Sequence, residues 1–130
     1  MKFDKEYFKQ QSFSDVELNN LKAAIIKTLH IASSNSEPEI IFHFAYMALL
    51  KIGIYYIAKE GYRIKSKPGH HIKIIDTLST LMKNDDIAII GNNMRKNRNL
   101  DIYSISVIIT HGNAQEYLSF VQNIFNKISD

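Results

Sequence analysis

The chain has 130 residues and a formal net charge of +3, with 45% hydrophobic residues, 22% charged residues and no cysteine. These values are typical of one globular domain with a proper core, and the lack of cysteine excludes disulfides, thiolate metal sites and cysteine nucleophiles. The net charge is too small to indicate nucleic-acid binding by itself. The first residues, MKFDKEYFKQQ, carry no apolar signal-peptide core, so we expect a cytoplasmic protein.

The first two predicted elements are a short N-terminal segment and a helix. Residues 1–11 carry three aromatic side chains at a spacing that suits a short helical turn packed on the main body. Ser14, followed three residues later by Glu17, is a capping-box pattern. It predicts a helix that continues to about Ala32, supported by apolar residues at intervals of three to four.

The segment 39–59 is apolar on nearly all sides, and its strongly polar residues are His43 and Lys51. A surface helix would have one apolar stripe and one charged face, so this pattern predicts a central core helix. A membrane span is the alternative, but Lys51 lies in mid-run and leaves apolar stretches far shorter than the ~18 residues that a span needs. We therefore expect no membrane contact, with His43 buried and hydrogen-bonded. A second capping pattern at 36–39 would start this helix.

Further helices are predicted after the central one. A basic loop at 63–69 precedes a helix over 70–82. A fourth helix begins near Asp86, where acidic side chains suit the positive end of the helix dipole, and it runs past Arg98. Each of these helices has apolar residues at helical spacing.

The end of the chain completes the predicted fold. Residues 103–109 are β-rich in composition, but no partner strand is evident, so we interpret them as a helix end or an extended connection. A last helix, capped near Asn113, reaches the C-terminus. The sequence thus predicts one all-α domain over 1–130, an up-down bundle of four to five helices.

The stretch 94–103 is the richest in candidate functional residues. Arg95 and Arg98 lie three residues apart and share a helix face, with Asn99 beside Arg95 and Asp101 within reach of Arg98. One alternative is a solvated helix end with an ordinary ion pair, which the spacing alone favours. The other is a phosphate site built on arginine forks, which bind oxygens in pairs.

A second basic group lies in the predicted loop. Lys65 and Lys67 precede Gly69 at a helix start, where backbone N–H groups and the helix dipole can bind phosphate. The spacing is not that of a P-loop. The adjacent His70 and His71 point in different directions on a helix, so they make a poor metal pair and we expect no metal site. One would be a solvent-facing cap, and the other could titrate near neutral pH in a cleft.

Taken in order, these pieces resemble the HEPN superfamily of small helical domains. The matching pieces are the central helix at 42–50, its end at Gly61, the loop 65–71 and the motif 94–103. The resemblance covers about residues 14–128 and is greatest to a prokaryotic branch with an Arg-x-x-x-x-Asp/Tyr-type motif.

The resemblance implies a helical bundle, usually dimeric, whose arginine and polar residues line a cleft near the two-fold axis. Many members are metal-independent ribonucleases or toxins, often paired with a small nucleotidyltransferase antitoxin, and their motif is Arg, four to six residues, then His. Here Asp101 and Tyr103 stand in that window and no His does. An aspartate, with an ordinary pKa of about 3.9, is a poor proton donor near neutral pH. His70 or His71 could take the place of the missing His.

We therefore expect a nucleotide- or RNA-binding domain of a toxin–antitoxin or defence pair with a nucleotidyltransferase. Nuclease activity would be weak or absent, no cofactor would be needed and the state would be a homodimer. The alternatives are a metal-independent ribonuclease toxin and a structural homodimeric interaction protein. The candidate catalytic residues are Arg95, Arg98, Asp101, Tyr103 and His70, expected to share one concave region nearer a subunit interface than the N-terminal segment. The candidate phosphate-binding residues are Lys65, Lys67, His71, Arg95, Lys96, Arg98 and Asn99.

Overall fold

A computed structural model describes residues 2–103 and 109–128, and at 99–103 it describes the backbone alone. Its helices are α1 (Asp15–Ser33), α2 (Pro38–Lys59), α3 (His70–Met82), α4 (Asp85–Tyr103) and α5 (His111–Ile128), and its strands are β1 (Phe8–Gln10) and β2 (Tyr62–Ile64). Of the described residues, 74% are helical. The prediction of an all-α helical bundle is confirmed.

Helix α1 begins as the sequence predicts. The Ser14 hydroxyl accepts a hydrogen bond from the backbone N–H of Glu17 at 3.1 Å, and the Glu17 carboxylate accepts one from the N–H of Ser14 at 2.9 Å. These two bonds satisfy N–H groups that the first turn of a helix leaves without partners. The backbone N–H of Ser14, and to a smaller extent its hydroxyl, lower the pKa of the Glu17 carboxyl.

Two other helix starts differ from the prediction. The N-cap of α2 is Glu37, which makes no side-chain cap bond, and Pro38 fills the first turn, so the cap expected from Ser36 is wrong. Helix α5 begins before the predicted cap at Asn113, and the Thr110 hydroxyl accepts the N–H of Asn113 at 3.1 Å. A capping pattern in the sequence places a helix start only to within a few residues.

Helix α2 forms the centre of the bundle and packs against α1, α3 and α5. Twelve of its 22 residues are buried. Length and composition alone would allow α2 to cross a membrane, but 61% of its most apolar window is buried inside the fold. That burial is typical of a core helix. His43 lies on the exposed side of α2, so the expectation that it is buried is wrong.

Two glycines allow α3 to approach its neighbours closely. A Cβ added to Gly53 of α2 would overlap Ile74 Cγ2 of α3. A Cβ added to Gly91 of α4 would lie 2.7 Å from Ile75 Cγ2 and 3.2 Å from Leu49 Cδ2. Ordinary carbon contacts are about 3.5–4.0 Å long, so each position has room for hydrogen alone.

The N-terminal segment contains one helical turn, closed by a bond from the N–H of Phe8 to the Asp4 carbonyl at 3.0 Å, and its aromatic side chains pack on the core, as expected. The sequence analysis did not foresee that this turn leads directly into strand β1. Strand β1 pairs antiparallel with β2, with Phe8 opposite Ile64 and Gln10 opposite Tyr62. The Phe3 ring stacks on the Tyr62 ring with centroids 4.3 Å apart. The aromatic side chains therefore pack on this two-stranded ribbon. Of the interpreted segment 103–109, residues 104–108 lie outside the described residues.

Candidate functional site

A basic cleft lies between the loop that precedes α3 and the middle of α4. It is a cavity of about 390 Å³, and its lining includes Ser66, Lys67, Gly69, His70, His71 and Arg95. These residues define the basic cleft. The fold thus brings an arginine from late in the chain beside the basic loop, as the sequence analysis expected.

The N-terminal segment supports the loop that forms one wall of the basic cleft. The Tyr7 hydroxyl donates a hydrogen bond to the Pro68 carbonyl at 3.2 Å, and the Tyr7 carbonyl accepts the N–H of Lys65 at 2.7 Å. Gly69 has a φ of +84°, and a Cβ there would lie 3.0 Å from the Tyr7 hydroxyl oxygen. Glycine adopts this left-handed conformation without steric cost. The loop geometry therefore depends on both Tyr7 and Gly69.

The two adjacent histidines have different hydrogen-bond partners. Nδ1 of His70 donates to the Lys67 carbonyl at 2.7 Å, while Nδ1 of His71 lies 3.1 Å from the Tyr46 hydroxyl. The two imidazole rings contact each other edge to face, with centroids 4.5 Å apart. His70 thus stabilises the loop, and His71 connects the cleft to helix α2.

Tyr46 lies beneath the cleft and is fully buried. Burial raises the pKa of its hydroxyl to about 12, against the opposing effect of Arg98 and Arg95. The hydroxyl therefore stays protonated near neutral pH and can donate to Nδ1 of a neutral His71. The guanidinium of Arg98 lies over the Tyr46 ring, 5.5 Å from the ring centroid. At this distance a cation is attracted to the face of an aromatic ring.

Arg95 is held in position by a chain of polar side chains. Its Nε donates to the Asn92 side-chain oxygen at 3.3 Å, and the Asn92 amide donates to an Asp76 carboxylate oxygen at 3.0 Å. Among the side chains that the structure describes, no carboxylate lies within 4 Å of Arg95 or Arg98. The half-buried Arg95 guanidinium, which lines the cleft, can interact with an anionic ligand.

The positive charge in the cleft acts on the nearby histidines. Burial of the His71 ring lowers its pKa, and His70, Arg98 and Arg95 lower it further. The pKa of His43 is also lowered, by partial desolvation and by Arg98. The surroundings of His71 therefore favour the neutral form of its ring.

A titration should show this effect directly. We expect the His71 imidazole to titrate below 6.5, its ordinary value. Because the unfolded chain then binds a proton at higher pH than the folded chain, the free energy of unfolding should fall as the pH drops from about 6.5 through the lower folded pKa. NMR of the imidazole Cε1–H group measures the pKa, and urea unfolding of wild type and His71→Gln measures the linked stability. A midpoint at or above 6.5 would contradict the expectation.

The other candidate residues divide into three groups. Lys67 lines the cleft, with its Nζ 3.5 Å from a Glu6 carboxylate oxygen. Lys65 does not line the cleft. Its ammonium donates to the Lys5 carbonyl at 2.6 Å, and its side chain lines a separate cavity beside the ribbon, so its role in phosphate binding stays a prediction. Lys96 is exposed and does not line the cleft. The side chains of Asn99, Asp101 and Tyr103 lie outside the described residues.

The sequence analysis missed Tyr46 and Asn92. Tyr46 lies in an apolar helix, where a tyrosine is interpreted as core, and its contact with His71 joins residues far apart in the chain. Asn92 precedes Arg95 by three residues on α4, a helical spacing that could have indicated their contact. Among the described residues, no group of three or more His, Asp or Glu side chains is placed to hold a metal ion.

Comparisons with protein-family models, with curated proteins and with solved structures find no match to this chain.

Proposed function

We propose that this domain binds a phosphate-containing ligand, RNA or a nucleotide, in the basic cleft. One observation carries the proposal: Arg95 of α4 lines the same cavity as Lys67, His70 and His71 of the loop and α3. Guanidinium groups bind phosphate oxygens in pairs, and lysine adds a mobile positive charge.

Two further features suit an anion. The cleft is lined by the N-cap and the first turn of α3, where the helix dipole and N–H groups without intrahelical partners favour negative charge. The pair between Lys67 and Glu6 is largely exposed, with side-chain exposures of 36% and 69%. Such a pair contributes ~0–1 kcal/mol, so a phosphate can compete with Glu6 for Lys67.

The HEPN resemblance extends the proposal. It implies a cytoplasmic homodimer that belongs to a toxin–antitoxin or defence pair with a nucleotidyltransferase, and it implies no cofactor. In this context the domain would bind RNA or a nucleotide with weak or absent nuclease activity.

Salt-dependent RNA binding tests the proposal. Fluorescence anisotropy with a labelled single strand should give a logarithmic affinity that falls linearly with the logarithm of salt concentration between about 50 and 200 mM. Arg95→Ala should weaken binding by about tenfold and reduce the magnitude of the slope by ~0.7, the value for one phosphate contact on a single strand. Lys27→Ala is the matched control, because it removes one positive charge from an exposed position on α1. Equal losses in both variants would mean that net charge, and not the cleft, binds the RNA.

A metal-independent ribonuclease is the second candidate, and the His71–Tyr46 contact beside two arginines favours it. Histidine suits proton transfer near neutral pH, and guanidinium groups can stabilise the charge that develops on the phosphate. The binding mixtures, incubated with EDTA and separated by electrophoresis, distinguish the candidates. Cleavage by wild type that is lost in both Arg95→Ala and Arg98→Ala would identify a ribonuclease, and intact RNA would favour binding alone.

A further inference from the structure

A second cavity adjoins the basic cleft and shares a wall with it. This side pocket has a volume of about 300 Å³. Both cavities are lined by Ser66, His70 and His71, so these three residues stand between them. The apolar lining of the side pocket comes from Met47, Leu50, Ile54, Ile64 and Ile74. A ligand that crosses the His70–His71 wall would therefore contact a charged region on one side and an apolar region on the other.

The shared wall is aromatic and fixed in place. The His70 ring is held by its bond to the Lys67 carbonyl, and the His71 ring by its contact with the Tyr46 hydroxyl. Unpaired bases bind proteins by stacking on aromatic rings and by hydrogen bonds along their edges. The wall thus offers ring surfaces at the boundary of an apolar pocket.

Lys51 adds a positively charged side chain to the lining of the side pocket. This half-buried side chain lines the side pocket, and its ammonium donates one hydrogen bond to the Thr28 hydroxyl at 2.8 Å. Among the described residues, no carboxylate lies within 4 Å of it. An ammonium group has three donors, so Lys51 can also donate to a carbonyl oxygen or ring nitrogen of a ligand.

We propose that the side pocket binds the base of the nucleotide whose phosphate lies in the basic cleft. This inference rests on the proposed function and narrows its ligand to an unpaired nucleotide, either free or within a single strand. A base stacked inside a duplex cannot enter a pocket without being extruded. The volume lies at the lower limit of ligand sites, which span about 300–1,000 Å³, so the pocket suits one base.

Calorimetric titration of the full chain with matched ligands tests the inference. The four nucleoside 5′-monophosphates are compared with ribose 5-phosphate, which carries the same phosphate and sugar without a base. We expect at least one monophosphate to bind about tenfold or more tightly than ribose 5-phosphate. Equal affinities for all five ligands would overturn the inference.

Two variants locate the base. Ile54→Phe places a larger ring in the side pocket, and Lys51→Met removes the donors while keeping a side chain of similar length. Both should reduce nucleotide affinity towards that of ribose 5-phosphate and leave ribose 5-phosphate binding unchanged, whereas Arg95→Ala should weaken both. If Ile54→Phe does not fold, as judged by urea unfolding, Lys51→Met gives the answer. Undiminished nucleotide binding in the folded variants would contradict a base in this pocket.

Binding of a single-stranded hexanucleotide shows whether the bound nucleotide is free or part of a single strand. Tighter binding of the single strand than of the monophosphate would indicate a base within RNA, and equal binding would indicate a free nucleotide. A blunt duplex that binds as tightly as the single strand would overturn the inference while leaving phosphate binding intact. If none of these ligands binds, including ribose 5-phosphate, the proposed function itself fails and the inference with it.

Discussion

Replacing Gly53 with valine should lower the free energy of unfolding by about 3 kcal/mol, the upper part of the usual range for overpacking a core. The Cβ of the new side chain would overlap Ile74 Cγ2, and it would lie 3.4 Å from the Ile74 carbonyl oxygen. Ile74 is 2% exposed, and a β-branched side chain on a helix cannot easily change its rotamer. Helices α2 and α3 would have to move apart. Urea unfolding followed by circular dichroism measures the change.

Alanine substitutions give the matched comparison. Gly53→Ala gains up to ~1 kcal/mol of helix propensity but still meets Ile74, so we expect a net loss of stability. At Gly112, in the first turn of α5, an added Cβ meets nothing within 4 Å. Gly112→Ala should therefore be neutral or slightly stabilising. If Gly53→Ala and Gly112→Ala change the free energy of unfolding by the same amount, α2 and α3 do not approach each other closely at Gly53.

Replacing Tyr46 with alanine should cost about 3–5 kcal/mol, as for other large aromatic side chains removed from a core. Its ring is 0% exposed and it contacts both His71 and Arg98. Tyr46→Phe keeps the ring and loses only the hydroxyl contact with His71, so it should cost about 1 kcal/mol. Urea unfolding at neutral pH distinguishes these losses. Equal costs for the two variants would mean that the ring contributes little to packing.

Alkaline pH gives a second measure of Tyr46. Its pKa is raised from 10.0 to about 12 in the folded chain. The resulting stability is present below pH 10 and is lost as the pH rises towards the folded pKa, because the unfolded chain releases its proton first. Two pKa units correspond to about 2.7 kcal/mol. Wild type should therefore lose more stability than Tyr46→Phe over this pH range, and identical losses would contradict burial of the hydroxyl.

The central helix could be predicted because its signal is local. The run at 39–59 is long and apolar on nearly all sides, and the structure buries it as α2. The same pattern cannot say which residues face outward, because a helix without a polar face has no apolar stripe to orient it. His43 was for this reason wrongly expected in the core. Lys51, also in this run, is half-buried and hydrogen-bonded to Thr28.

The N-terminal ribbon could not be predicted because its signal is not local. Strands β1 and β2 have three residues each, which is too short for a clear alternating pattern. Each strand exists through its pairing with the other, more than fifty positions away in the numbering, as between Phe8 and Ile64. The pairing also matters for the cleft, because the Tyr7 carbonyl in this segment accepts a hydrogen bond from the N–H of Lys65.

The cleft itself was partly predicted. The sequence motifs indicated that Arg95 and the 65–71 loop belong together, and the structure places Arg95 beside that loop. The positions of Asp101 and Tyr103 relative to the cleft stay predictions. So does the nearness of the cleft to a subunit interface.

The contact between Tyr7 and the loop has a consequence for the order in which the cleft is assembled. During synthesis the first ten residues leave the ribosome early, but β1 gains its partner only after β2 has emerged, and Arg95 follows later still. The cleft is therefore assembled late, after much of the helical body. A protease that trims the chain beyond Tyr7 would remove the hydrogen-bond partners of the Pro68 carbonyl and the Lys65 N–H, and with them the support of one cleft wall.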